Sequence, residues 1–109
     1  MMDSITIEKS VELLLNAAPA GSKVILFGSH ARGDAGPDSD LDFLVIEPKV
    51  ADHRREMVRL EAVLQSMRVP SDVLVTTEAD FEEWRDTPGT VLYEAAKEGK
   101  LFDAGHCSC

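Results

Sequence analysis

A chain of 109 residues, 44 % hydrophobic and 28 % charged, has the size and composition of one domain with its own core, since folding removes roughly 65 % of the unfolded surface at this length. Its 20 acidic residues outnumber 11 basic ones for a net charge of −9, and the only cluster of bases is His53, Arg54, Arg55 and Arg59, which argues against a groove for long nucleic acid. No apolar run reaches the length of a membrane span, and Met1-Met2-Asp3-Ser4 is not a basic-then-apolar leader, so no membrane association and a cytoplasmic setting are expected.

Residues 4–18 predict a helix with Ile7, Val11, Leu14, Leu15 and Ala18 on one face, stopped by Pro19-Ala20-Gly21. Lys23 to Phe27 is a short, nearly continuous apolar run, as in a strand covered on both faces. Gly33 to Ser39 reads as a loop, and Leu41 to Glu47 as a second strand ended by Pro48. Residues 51–68 predict the clearest helix, with Met57, Leu60, Leu64 and Met67 as its apolar stripe and the basic cluster as a solvated face.

A third strand is expected from Asp72 to Thr76. Thr77-Glu78-Ala79-Asp80 resembles a capping box opening a short helix through Trp84. Thr87-Pro88 reads as another helix start, with proline at the first helical position; that helix runs to about Lys97 and Gly99 ends it. Leu101-Phe102 suggests a short final strand. The order predicts an α+β domain over residues 1–103, a mixed β-sheet with helices packed on it. Residues 104–109 are expected to be a disordered tail: His106, Cys107 and Cys109 find no second pair of ligands elsewhere to complete a zinc site.

The chemistry concentrates between the first two strands. Ten residues separate Gly28-Ser29 from Asp40-Leu41-Asp42. Alternate strand residues share a face, so the Asp40 and Asp42 carboxylates project together and repel. A hard divalent cation such as Mg²⁺, which takes oxygen ligands, relieves that repulsion. A glycine followed by a hydroxyl residue at a strand end lets backbone N–H groups approach phosphate. A phosphate cradle beside an acid pair is equipment for nucleotidyl or phosphoryl transfer. Asp72, opening the neighbouring strand, could add a third carboxylate to such a cluster.

Phe27-Gly28-Ser29-His30-Ala31-Arg32-Gly33, then Asp38-Ser39-Asp40-Leu41-Asp42-Phe43-Leu44-Val45, then Val69-Pro70-Ser71-Asp72-Val73-Leu74-Val75 resemble the minimal nucleotidyltransferase (MNT) domain of the DNA polymerase beta superfamily. Pro88 to Ala95 resembles the family's final helix, and the likeness spans about residues 5–103. It implies a polymerase-beta-like palm in which Asp40, Asp42 and Asp72 ligate two Mg²⁺ ions and Asp72 is the general base toward an acceptor hydroxyl. It further implies that Gly28 and Ser29 hold the outer phosphates of ATP, the substrate. Arg32 suits either a phosphate or the nearby Asp34 and Asp38, and His30 is read as a loop-facing residue.

Larger relatives carry extra elements that hold the acceptor, and none is evident here. Small family members commonly pair with a helical HEPN-domain protein in toxin–antitoxin modules, the MNT partner transferring AMP from ATP onto a tyrosine of the toxin. The resemblance thus implies an antitoxin that acts as a protein adenylyltransferase. The alternatives are a homodimeric nucleotidyltransferase with a small-molecule hydroxyl acceptor, and a non-catalytic antitoxin that neutralises its partner by contact. For presentation of the acceptor in trans, an apolar surface beside the acids is expected, drawn in part from Trp84, Leu92 and Tyr93.

Overall fold

Seven buried or half-buried positions in a row, Leu41–Glu47, make a strand that is covered on both faces, and the fold is organised around it. In the computed structural model, which describes residues 4–28, 33, 40–67 and 71–103, this strand (β2) lies inside a four-stranded sheet of order β3-β2-β1-β4. β1 (Lys23–Phe27) runs antiparallel to β2, with Phe27 opposite Asp42 and Lys23 opposite Ile46. β3 (Ser71–Thr77) is parallel to β2, with Asp42 beside Asp72. β4 (Lys100–Asp103) closes the other edge antiparallel to β1. The sheet is therefore mixed, as expected of an α+β domain.

Two helical layers sandwich it. α1 (Ser4–Ala17) and α2 (His53–Leu64) cover one face, where Val11, Leu14, Leu60 and Leu64 pack on Val24, Leu26, Leu41, Phe43, Val45, Val73 and Val75. α3 (Glu78–Trp84) and α4 (Val91–Glu98) cover the other, where Phe81 and Ala95 pack on Ile25, Phe27, Leu44 and Ile46. Burying one Leu or Phe side chain stabilises by roughly 1.5–3 kcal/mol, so both apolar stripes of β2 are held in place.

Side-chain caps set the helix starts. Asp52 Oδ1 accepts from the Arg55 N–H at 3.1 Å, so α2 begins at His53, two residues later than the periodicity suggests, and its last turn tightens into a 3-10 turn over Gln65–Met67. Thr77 Oγ1 accepts from the Asp80 N–H at 3.1 Å, the cap expected for α3. α4 departs from expectation. Its cap is Thr90, whose Oγ1 accepts from the Tyr93 N–H at 3.1 Å and donates to the Thr87 carbonyl at 2.9 Å. Gly89 has φ +90, outside right-handed helical space, so Pro88-Gly89 forms a turn and proline is not the first helical residue.

Gly99 ends α4 by donating to the Ala95 carbonyl at 3.0 Å. A Cβ there would collide with Ile25 Cγ2 and with that carbonyl oxygen, so glycine is what lets β4 fold straight back onto β1. Among the described residues no helix is long and apolar enough to cross a membrane. The expected tail 104–109 lies outside the described residues.

Candidate active site

The strand register converts three separate sequence features into one place. Residues opposite one another in adjacent strands share a face. The row Phe27–Asp42–Asp72 therefore puts two aspartates side by side on neighbouring parallel strands. Strands lie about 4.8 Å apart. Two carboxylates at roughly 5 Å repel by about 1 kcal/mol in water and roughly 3 kcal/mol at a protein surface. The preceding row on that face, Ile25–Leu44–Leu74, is apolar and lies beneath α3 and α4. The acids thus stand at the rim of the α3/α4 layer, where the apolar floor ends. Asp42 is half-buried, and Asp72 is exposed. Asp40 precedes β2, exposed, with the parity of Asp42.

Gly28 completes the rim. It follows β1 directly with φ +79, a conformation that costs other residues roughly 1–2 kcal/mol. A Cβ built on it would overlap Asp42 Oδ2 and stand 3.2 Å from Asp42 Cγ. The backbone of Gly28 therefore lies against the Asp42 carboxylate, a close approach that only glycine permits. The residue read from sequence as a phosphate-side glycine is here also the residue that seats an acid.

Of the other sequence-predicted members, Ser29 and Arg32 lie outside the described residues, as do His30 and the loop acids Asp34 and Asp38. Among the described residues no three His, Cys, Asp or Glu side chains converge tightly enough to enclose a metal ion. Asp40, Asp42 and Asp72 are brought to one rim but not to one point. Their donor set still fits a hard cation: carboxylate oxygens alone, two of them register partners, beside a backbone that leaves room for no Cβ. Of the expected apolar contributors, Trp84 is exposed (45 %), whereas Leu92 packs into the α3/α4 core. Tyr93 is half-buried, with Lys97 Nζ 5.7 Å from its ring centre.

Sequence reasoning missed a second polar cluster, at the far end of β2. Glu47 is 2 % exposed on the face of Leu41, Phe43 and Val45. Burial, then a proton-sharing hydrogen bond with Glu56, pushes its carboxyl up to about 7. Arg59 donates to Glu56 through Nε at 2.9 Å and Nη2 at 2.5 Å. Those bonds, with the one from Glu47, hold Glu56 down at about 2. The signal was present in the parity of β2, which places residue 47 with the core residues 41, 43 and 45.

A mixed sheet with helices on both faces thus carries an acid pair on adjacent strand ends and a glycine against one acid. The chain belongs to the nucleotidyltransferase domain family, whose pattern matches residues 7–101. No curated protein matches it significantly. Solved structures share the fold. A toxin–antitoxin crystal structure with AMP-PNP aligns at 22 % identity and TM-score 0.62, over 92 % of this chain and 72 % of that one. A Sulfolobus solfataricus protein provisionally described as a nucleotidyltransferase aligns at 24 % identity and TM-score 0.59, over 90 % and 77 %. A mutant toxin–antitoxin MntA-HpeT, with two aspartates changed to glutamate, aligns at 20 % identity and TM-score 0.61, over 86 % and 69 %.

Proposed function

We propose that this chain is a Mg²⁺-dependent nucleotidyltransferase that moves AMP from ATP onto a hydroxyl, a tyrosine, of a HEPN-domain toxin, and so acts as its antitoxin. The observation that carries the reading is the Asp42–Asp72 pair with Gly28 seated against Asp42, in a chain of the nucleotidyltransferase domain family. The toxin–antitoxin neighbours, one with AMP-PNP, support the choice of nucleotide and of a protein partner.

Asp40, Asp42 and Asp72 would hold the ions through oxygen donors. When bound, divalent cations supply charge neutralisation at the attacking and leaving oxygens. The chain does the rest. Gly28 fixes Asp42 and opens its own backbone to the triphosphate, with Ser29 and Arg32 as further phosphate ligands. Asp72, exposed at the rim, accepts the proton of the acceptor hydroxyl. The acceptor oxygen bonds to the α-phosphorus, the bond from that phosphorus to the bridging oxygen breaks, and pyrophosphate leaves. Such chemistry is mainly positioning and electrostatics, and it uses no cysteine or serine nucleophile.

The experiment is co-expression with a HEPN-domain helical protein, followed by intact-mass measurement after ATP and Mg²⁺. One adenylyl group added to the partner is expected. A stable complex with no added mass would instead favour neutralisation by contact. A homodimer that modifies a small hydroxyl compound and ignores the partner would favour the small-molecule reading.

A further inference from the structure

Glu47 Oε2 is buried without a hydrogen-bond partner among the described residues, and so is Ser22 Oγ. Carrying the β1–β2 register one position past Lys23 and Ile46 sets Ser22 opposite Glu47. Neither atom hydrogen-bonds the other. A carboxylic acid tolerates that setting, whereas a carboxylate with an undonated buried oxygen does not. The other side of the carboxyl meets Glu56, which Arg59 grips with two hydrogen bonds. Beside the pair opens a cavity of about 330 Å³ lined by Glu47, Lys49, Asp52, Arg55, Glu56 and Arg59, among others. Among the described residues neither Lys49 nor the Arg55 guanidinium has an ion pair.

We propose that Glu47 is a proton-operated latch: protonated, it ties the end of β2 to α2 through Glu56, and ionised, it turns into the cavity toward Lys49 and Arg55 and releases the first turns of α2. The released proton goes to solvent. Glu56 and Arg59 from α2 act directly on Glu47, and the other charged groups lining the cavity with it are Arg55 from α2 and Lys49 and Asp52 from the β2–α2 connection. Asp52 is occupied as the cap of α2. The remaining neighbours, Pro19 after α1, Ser22 before β1 and Thr77 opposite in β3, do not titrate. The latch lies at the opposite end of β2 from Asp40 and Asp42, so its failure and that of the catalytic reading are separable.

The direction with pH follows from linkage. A carboxyl raised from 4.5 to about 7 in the fold contributes stability that is complete below pH 4.5 and is lost as pH rises to about 7. The test compares melting temperatures of the wild-type protein and Glu47→Gln from pH 4 to 9. The wild type should lose ground to the variant between pH 4.5 and 7 and run parallel to it above. Amide hydrogen exchange in the first turns of α2 should rise through pH 7 in the wild type relative to the variant at equal pH. Infrared titration of the unmutated protein adds a readout independent of the variant's folding: a carboxylic-acid band should persist to near pH 7. Parallel melting curves, or no protonated carboxyl above pH 6, would overturn the proposal.

Discussion

Replacing Gly28 by alanine tests the site through its most constrained contact, and Gly89 supplies the control. Both glycines have strongly positive φ, +79 and +90, so alanine at either costs roughly 1–2 kcal/mol of backbone strain. They differ in what the new methyl meets. At Gly89 nothing lies within 4 Å, whereas at Gly28 the methyl overlaps the Asp42 carboxylate. Asp42 must leave its rotamer, which adds roughly 0.5–1.5 kcal/mol. The expected total is about 1.5–3.5 kcal/mol for Gly28→Ala against about 1–2 for Gly89→Ala. Each kcal/mol lowers the melting temperature by roughly 4–8 °C in a domain near this size. Activity separates the two more widely. A 1 Å displacement of a catalytic group costs on the order of 10²-fold, so Gly28→Ala should lose at least that in adenylyl transfer while Gly89→Ala retains its rate. Thermal melts and intact-mass transfer assays on both variants decide the matter. Equal destabilisation with intact transfer in Gly28→Ala would show that the glycine does not seat Asp42.

The other expectations concern the acids and the end of α4. Mg²⁺ or Mn²⁺ should raise the melting temperature of the wild type by mass action, and Asp42→Asn should lose that response while leaving the metal-free protein at least as stable, because a repulsion is removed; an unchanged response would misplace the ligands. Asp72→Asn should be nearly silent in transfer, whereas Ser29→Ala, which removes one charge-assisted hydrogen bond of roughly 1.5–3 kcal/mol, should slow it by about one to two orders of magnitude; transfer by Asp72→Asn at the wild-type rate in single-turnover assays would refute its role as base. Gly99→Ala should destabilise by roughly 1–3 kcal/mol through overpacking against Ile25 and the Ala95 carbonyl, with no change in metal response; a melt within a degree of wild type would refute the steric account.

Local chemistry made much of this molecule legible. β1 spans the nearly continuous apolar run Lys23–Phe27, and β2 spans Leu41–Glu47 and ends ahead of Pro48, because burial on both faces favours apolar runs and proline stops a central strand. The caps at Thr77 and the stop at Gly99 were equally local. The start of α4 was not: Pro88 suits a first helical position in isolation, and only the observed turn, with Gly89 left-handed and Thr90 bonded to Thr87 and Tyr93, decides against it.

The candidate site divides in the same way. Residue types and spacing drew attention to Gly28, Asp40 and Asp42, and the family resemblance added Asp72 and the roles expected of all four. That Asp42 stands beside Asp72 was decided by the parallel pairing of β2 with β3. That Gly28 presses on Asp42 was decided by the antiparallel pairing of β1 with β2. A strand's alternation tells which face each residue takes, but a shift of one residue in pairing would leave every pattern in the chain unchanged and move the acids apart. Register is a property of two strands held together by what covers them, and the same covering turned Glu47 from a strand-end acid into a buried carboxyl whose ionisation is pushed up to about 7.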